Sequence, residues 1–203
     1  MKSPTSICLA VEDVLSEVTI RAILRQSGRS YAIGNCYRRG GFGYLKKTIQ
    51  GFNQAAKGVP FFVLTDLDQH ACPSQLIVEW LPVPKHPNLL FRIAVREVEA
   101  WVLADRIAFG RFFGVDGKQV TSPTDRLPDP KRFLIELVAK SRNRALREAI
   151  VPARRSTATQ GPDYNRPLTE FVEKQWKLSR AASNSESLRR TLEVVRRFRQ
   201  SLS

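Results

Sequence analysis

The stretch Phe61-Phe62-Val63-Leu64-Thr65-Asp66-Leu67-Asp68 constrains the chain more than any other. Its apolar and β-branched run shows no polar alternation, so a strand built from it must be covered on both faces. That is the condition of a parallel sheet between helical layers. The run ends in two aspartates one residue apart, as a buried strand does when it delivers carboxylates to the ligand-binding rim of an open α/β sheet. Ile7 to Val11 leads likewise into Glu12 and Asp13, and Leu89 to Val95 leads into Glu97 and Glu99. Three strands each ending in acids predict a divalent-metal site at one edge of a sheet.

Helical spacing separates these strands. Val14 to Arg25 repeats its apolar positions at helical intervals and meets Gly28 as a stop. Ser30 to Tyr37 reads as a short strand, Arg38 to Gly43 as a loop, and Tyr44 to Ala56 as a helix. Pro73 is placed to open a helix to about Trp80. The resulting β-α-β-α-β-α-β order predicts a mainly parallel four-stranded sheet with a Rossmann-like core. Helices are expected over Val98 to Phe113, Pro130 to Ser141, Asn143 to Ile150, Pro167 to Trp176 and Glu186 to Ser201. A soft boundary near Asp105 divides a core over 1–105 from a helical basic C-terminal lobe over 106–203, unless the two form one integrated domain.

Charge supports that division. Up to Asp105 there are 12 Lys and Arg against 9 Asp and Glu; beyond it there are 21 against 10. A basic lobe beside an acidic pocket suits an enzyme acting on a polyanion, with cations on the phosphates and carboxylates on the metal. No apolar run approaches the length of a membrane span. Met1 to Ser6 lacks the apolar region of a signal peptide, and the odd trio Cys8, Cys36 and Cys72 has no metal-like spacing. A cytoplasmic protein with reduced thiols and no membrane partner is the expectation.

Seven of the nine acids before Arg106 lie at or just after the three strand ends: Glu12, Asp13, Glu17, Asp66, Asp68, Glu97 and Glu99. Clustered carboxylates raise one another's pKa unless a cation neutralises them. Ligation by oxygen alone suits Mg²⁺ or Mn²⁺ rather than zinc. Glu97 and Glu99 lie on opposite sides of an extended chain and converge if a helix begins between them, with Glu97 the favoured ligand.

An apolar strand leading to a glutamate, then a helix and a later strand ending Asp-x-Asp, resembles the Toprim fold of topoisomerases, bacterial primases and nucleases of the overcoming-lysogenization-defect type. The segment Val95-Arg96-Glu97-Val98-Glu99-Ala100-Trp101-Val102-Leu103-Ala104-Asp105 resembles a group of small bacterial Toprim-like proteins, often encoded beside ATPases and associated with phage defence. The resemblance covers roughly Ser6 to Asp105. It implies that Glu12 is the Toprim glutamate, a metal ligand or general acid/base, and that Asp66 and Asp68 bind metal. It also implies that Glu17 is the second acid of nuclease-type members. Asp13 stands where the Toprim pattern has glycine.

Other candidates surround this set. Arg38-Arg39-Gly40-Gly41-Phe42-Gly43-Tyr44-Leu45-Lys46-Lys47 is a glycine-rich basic loop entering a helix, suited to phosphate through its amides and Lys46 or Lys47, though it is not a P-loop. His70 reads first as a surface histidine; the alternative, given its place beside the aspartates, is a proton shuttle. His86 reads as a surface histidine, and Trp101 as core. Arg154 and Arg155, among small hydroxyl residues, suit backbone-phosphate contacts. Together these readings predict a Mg²⁺- or Mn²⁺-dependent nuclease acting on DNA or RNA, with a homo-oligomer among the assemblies open to it. The alternative is a non-catalytic regulatory or sensing subunit that partners an ATPase.

Overall fold

The computed structural model describes residues 3–201. Four strands, β1 (Thr5–Val11), β2 (Tyr31–Tyr37), β3 (Phe61–Asp66) and β4 (Leu89–Ala94), form one sheet in the order β2-β1-β3-β4. Every neighbouring pair is parallel, with Cys8 opposite Phe61 and Phe61 opposite Leu89. The fold is α/β, with a Rossmann-like core.

Alternation along each buried strand sends side chains to two separate cores. Ile7, Leu9, Val11, Phe62, Leu64, Leu90 and Ala94 face α1 (Val14–Gln26) and the helices that follow β4. Cys8, Ala10, Phe61, Val63, Leu89, Phe91 and Ile93 face α2 (Gly41–Ala55) and α3 (Pro73–Trp80). The first connection therefore covers one face and the next two the other. Strand order reverses between β1 and β3, and the crevice outside that point is where open α/β sheets bind ligands.

Helix starts follow from local chemistry. Asp13 caps α1 by accepting from the Ser16 amide at 2.7 Å, and Pro73 occupies the first turn of α3. The helix expected from Tyr44 begins instead at Gly41, because Gly40 (φ 72°) and Gly41 (φ 60°) turn the chain through left-handed backbone that side chains disfavour.

The helix expected over 98–113 is two, α4 (Val98–Leu103) and α5 (Arg106–Phe113). Asp105 breaks it by turning inward, 1% exposed, to take a fork from Arg180 at 2.8 and 2.7 Å and the Lys177 amide at 2.8 Å. The chain continues through α6 (Pro130–Val138), α7 (Arg144–Ile150), α8 (Asn165–Lys174), α9 (Leu178–Ala182) and α10 (Glu186–Arg197). Their apolar faces join α1 and α4 in one uninterrupted core. Trp101 lies fully buried there, its indole N–H donating to Ser187 Oγ at 2.7 Å. Among the described residues, no helix is long and apolar enough to cross a membrane.

Candidate functional site

The carboxyl ends of β1 and β3 adjoin at the reversal of strand order, and each ends in an acid. Glu12 follows β1 directly. Its Oε1 accepts the Thr65 hydroxyl and, at 3.0 Å, the Asp66 amide. Asp66 closes β3, and its Oδ1 accepts the Val98 amide at 2.9 Å, tying the strand end to the start of α4. Asp68 lies two residues on in left-handed backbone (φ 49°), which aspartate tolerates better than most residues. Its amide donates to the Arg96 carbonyl at 3.0 Å, whereas its carboxylate makes no hydrogen bond or ion pair among the described residues.

Glu97 and Glu99 enter from the start of α4, as a helix beginning between them requires. Glu97 Oε2 accepts the Lys131 amide at 2.8 Å. Glu99 is buried, and its Oε1 accepts the Tyr164 hydroxyl at 2.9 Å. Lys131 also lies over the Tyr164 ring, 5.0 Å from its centroid, so α6 and the segment before α8 close the far side of the rim.

Electrostatics follow from crowding these acids away from water. Burial lifts the Glu12 carboxyl above its ordinary value, against the stabilising Thr65 and Asp66 donors. Asp66 is held well above the carboxylate range, by burial first and then by the charges of Glu99, Glu12, Asp13 and Asp68. Burial also raises Asp68, with His70 opposing, and raises Glu97. Glu99 is pushed up to about 7, chiefly by burial and then by Glu97. Among the described residues, no lysine or arginine is ion-paired with any of the five.

Glu17 stands apart on α1, bound by Arg21 at 2.9 Å and by Arg38 at 3.5 Å. Lys46 is taken by Glu79 at 2.6 Å, a carboxylate that also lies 3.6 Å from His70 Nε2. Arg39 and Lys47 are exposed near the glycine turn. Arg154 and Arg155 are exposed in the loop that leaves α7 and returns at Tyr164, beside Glu99. Gly161 anchors that loop: its amide donates to the Ile150 carbonyl at 2.8 Å, and a Cβ there would lie 2.3 Å from the Ala149 carbonyl oxygen.

The oxygen-only donor set suits a hard divalent cation. As the side chains stand, no three His, Cys, Asp or Glu residues among those described are grouped so that they could hold a metal ion. Thr65, Lys131 and Tyr164 complete the rim and carry no signal in the sequence. Tyr164 reaches Glu99 across 65 residues, and the Lys131 amide reaches Glu97 across 34.

These features define a parallel α/β protein with a carboxylate rim at its topological switch point. No family model matches the chain, and no curated protein or solved structure was found to match it.

Proposed function

We propose that the rim takes Mg²⁺ or Mn²⁺ and that the protein cleaves a phosphodiester bond in DNA or RNA, as a Toprim-like nuclease. The observation that carries this reading is the meeting of Glu12 and Asp66 at the reversal of strand order, with Asp68, Glu97 and Glu99 beside them. A divalent ion bound there supplies Lewis acidity and lowers the pKa of a coordinated water. The chain's own part is positioning. Thr65 and the Asp66 amide fix one oxygen of Glu12, and the Val98 amide fixes one oxygen of Asp66, so each presents its second oxygen. Asp68, whose carboxylate makes no hydrogen bond or ion pair among the described residues, completes the set by turning that carboxylate toward Asp66. Glu97 and Glu99 extend the rim toward a second position. Arg39, Lys47, Arg154 and Arg155 hold flanking phosphates, while Glu17 fixes Arg38 near the end of β2.

A specific observation favours a second reading, a regulatory or sensing subunit that docks on an ATPase and retains the fold without the chemistry. Asp13, in the glycine place of the Toprim pattern, is locked into the α1 cap and adds charge against Asp66 and Glu99. The test is incubation with plasmid, single-stranded DNA and RNA under Mn²⁺, Mg²⁺ or chelator, with Asp66→Ala in parallel. Metal-dependent cleavage lost in the variant supports the nuclease. Inactivity of a folded wild type on every substrate supports the subunit.

A further inference from the structure

α5 and the short turn Gly117–Gln119 meet with only bare backbone between them. A Cβ on Gly110 would lie 2.8 Å from the Gly117 nitrogen, and one on Gly117 would lie 2.1 Å from the Arg106 carbonyl oxygen. Beside this junction is a cleft of about 590 Å³, a size typical of small-molecule sites. Arg180, Ser183 and Asn184, at the end of α9, form another of its walls. The cleft stands apart from the acidic rim. Glu97 and Glu99 lie at the start of α4, whereas the cleft begins with Asp105, beyond the end of that helix.

Its charge is positive and largely unmatched. Asp105 is already taken by the fork from Arg180, and Asp116 gives one oxygen to the Lys118 amide at 2.9 Å. Against Asp116 stand Arg106, Arg111 and Lys118, none of them ion-paired among the described residues. Arg106 is oriented without being neutralised, because it donates to the Gly117 carbonyl at 3.4 Å and to the Lys118 carbonyl at 3.2 Å. Arg111 and Lys118 are exposed, and their side chains make no hydrogen bond among the described residues. The lip beside these cations is apolar. Ile107 is 69% exposed there, and Val115 is half-buried next to the glycine backbone.

We propose that this cleft binds a nucleoside di- or triphosphate. Its phosphates meet Arg106, Arg111 and Lys118, and its base lies against Ile107, Val115 and the bare backbone of the glycine junction. Guanidinium groups match phosphate oxygens through paired N–H donors, and an ammonium adds a compact charge. Inorganic polyphosphate would satisfy the cations but leave the apolar lip uncovered. Single-stranded nucleic acid binds along a groove through successive aromatic platforms, and no aromatic residue lines this cleft, whose apolar wall suits one base. The site is independent of the acidic rim and of any cleavage.

The test is calorimetric titration of the full chain with ATP, GTP, CTP and UTP, in EDTA so that no metal bridges a nucleotide to the rim. The matching diphosphates, adenosine, inorganic tripolyphosphate and oligothymidylate run in parallel. The expected result is one salt-sensitive site for at least one nucleotide, with adenosine and tripolyphosphate each binding more weakly. Arg111→Gln with Lys118→Gln, two exposed positions without partners, should lower nucleotide affinity at least about tenfold. Ile107→Ser should weaken nucleotide binding and leave tripolyphosphate binding unmoved, and Asp66→Asn should change neither. The proposal fails if no nucleotide binds at millimolar concentration, or if the Arg111/Lys118 double variant binds like wild type. Tripolyphosphate binding as tightly as the best nucleotide would reduce the cleft to a patch of cations. Oligothymidylate displacing the nucleotide at equal phosphate concentration would assign it to nucleic acid instead, and either result overturns the proposal.

Discussion

Glu99→Gln isolates the electrostatic cost of the acidic rim. Glu99 titrates in the native protein near 7, against an ordinary 4.5. Between these values the folded protein holds one more proton than the unfolded chain, so stability falls as pH rises. Each pH step equals about 1.4 kcal/mol, and the whole interval comes to about 3 kcal/mol. The loss begins above pH 4.5, is nearly complete above 7, and is absent under acid conditions, where both states are protonated. Glutamine keeps the acceptor for the Tyr164 hydroxyl and removes the charge. It also relieves Asp66, whose carboxyl Glu99 helps to raise. Urea unfolding of both proteins from pH 4 to 8.5 should give matching stability near pH 4 and a gain of about 3 kcal/mol for the variant at pH 8, or about 6–12 °C in Tm. Parallel curves, or a variant less stable at pH 8, would refute the assignment of Glu99 as a buried acid held against its preferred charge.

Three further substitutions test the surrounding frame. Removal of Arg180 leaves the buried Asp105 carboxylate unpaired, whereas removal of Asp105 leaves an arginine 45% exposed that can turn to water. Arg180→Ala should therefore cost about 3 kcal/mol and Asp105→Ala less, and equal losses in urea unfolding would contradict the asymmetry. Gly161→Ala forces the loop away from the Ala149 carbonyl and should cost about 1–3 kcal/mol, with faster amide exchange at Asp163 and Tyr164; a silent change would show that the loop is not anchored there. Arg154→Gln with Arg155→Gln should lower the salt slope of nucleic-acid binding by about 1.4–1.8 while leaving stability unchanged. An unaltered slope would remove this loop from the phosphate contacts.

The sheet was legible because its strands are buried on both faces and so appear as unbroken apolar runs. The acids at the rim were legible for the same reason, since each strand ends where its apolar run gives way. The helices after β4 were less so. Asp105 splits an apparently continuous helix only because Arg180, 75 residues later, draws it inward, and no local pattern announces that fork. The five-residue α9 is too short to show a period. Charge was the least specific guide. Arg132, Arg144, Lys174, Arg189 and Arg190 pair with acids three or four residues away on their own helices, so they are solvated helix faces before they are anything else.

The raised carboxyls bear most directly on the proposed chemistry. An acid held above its ordinary pKa costs stability at neutral pH, and a bound cation returns that stability by favouring the charged form. Wild type at pH 8 should therefore gain stability on addition of Mn²⁺, by about 2.7 kcal/mol at a hundredfold excess over Kd, and chelator should reverse the gain. Asp66→Asn should behave in the opposite way, more stable than wild type without metal and insensitive to it. This comparison needs no substrate. If Mn²⁺ stabilises Asp66→Asn and wild type alike, the ion binds elsewhere and the rim is not a metal centre. If it stabilises neither, the crowded acids serve the fold or a partner, and the subunit reading stands.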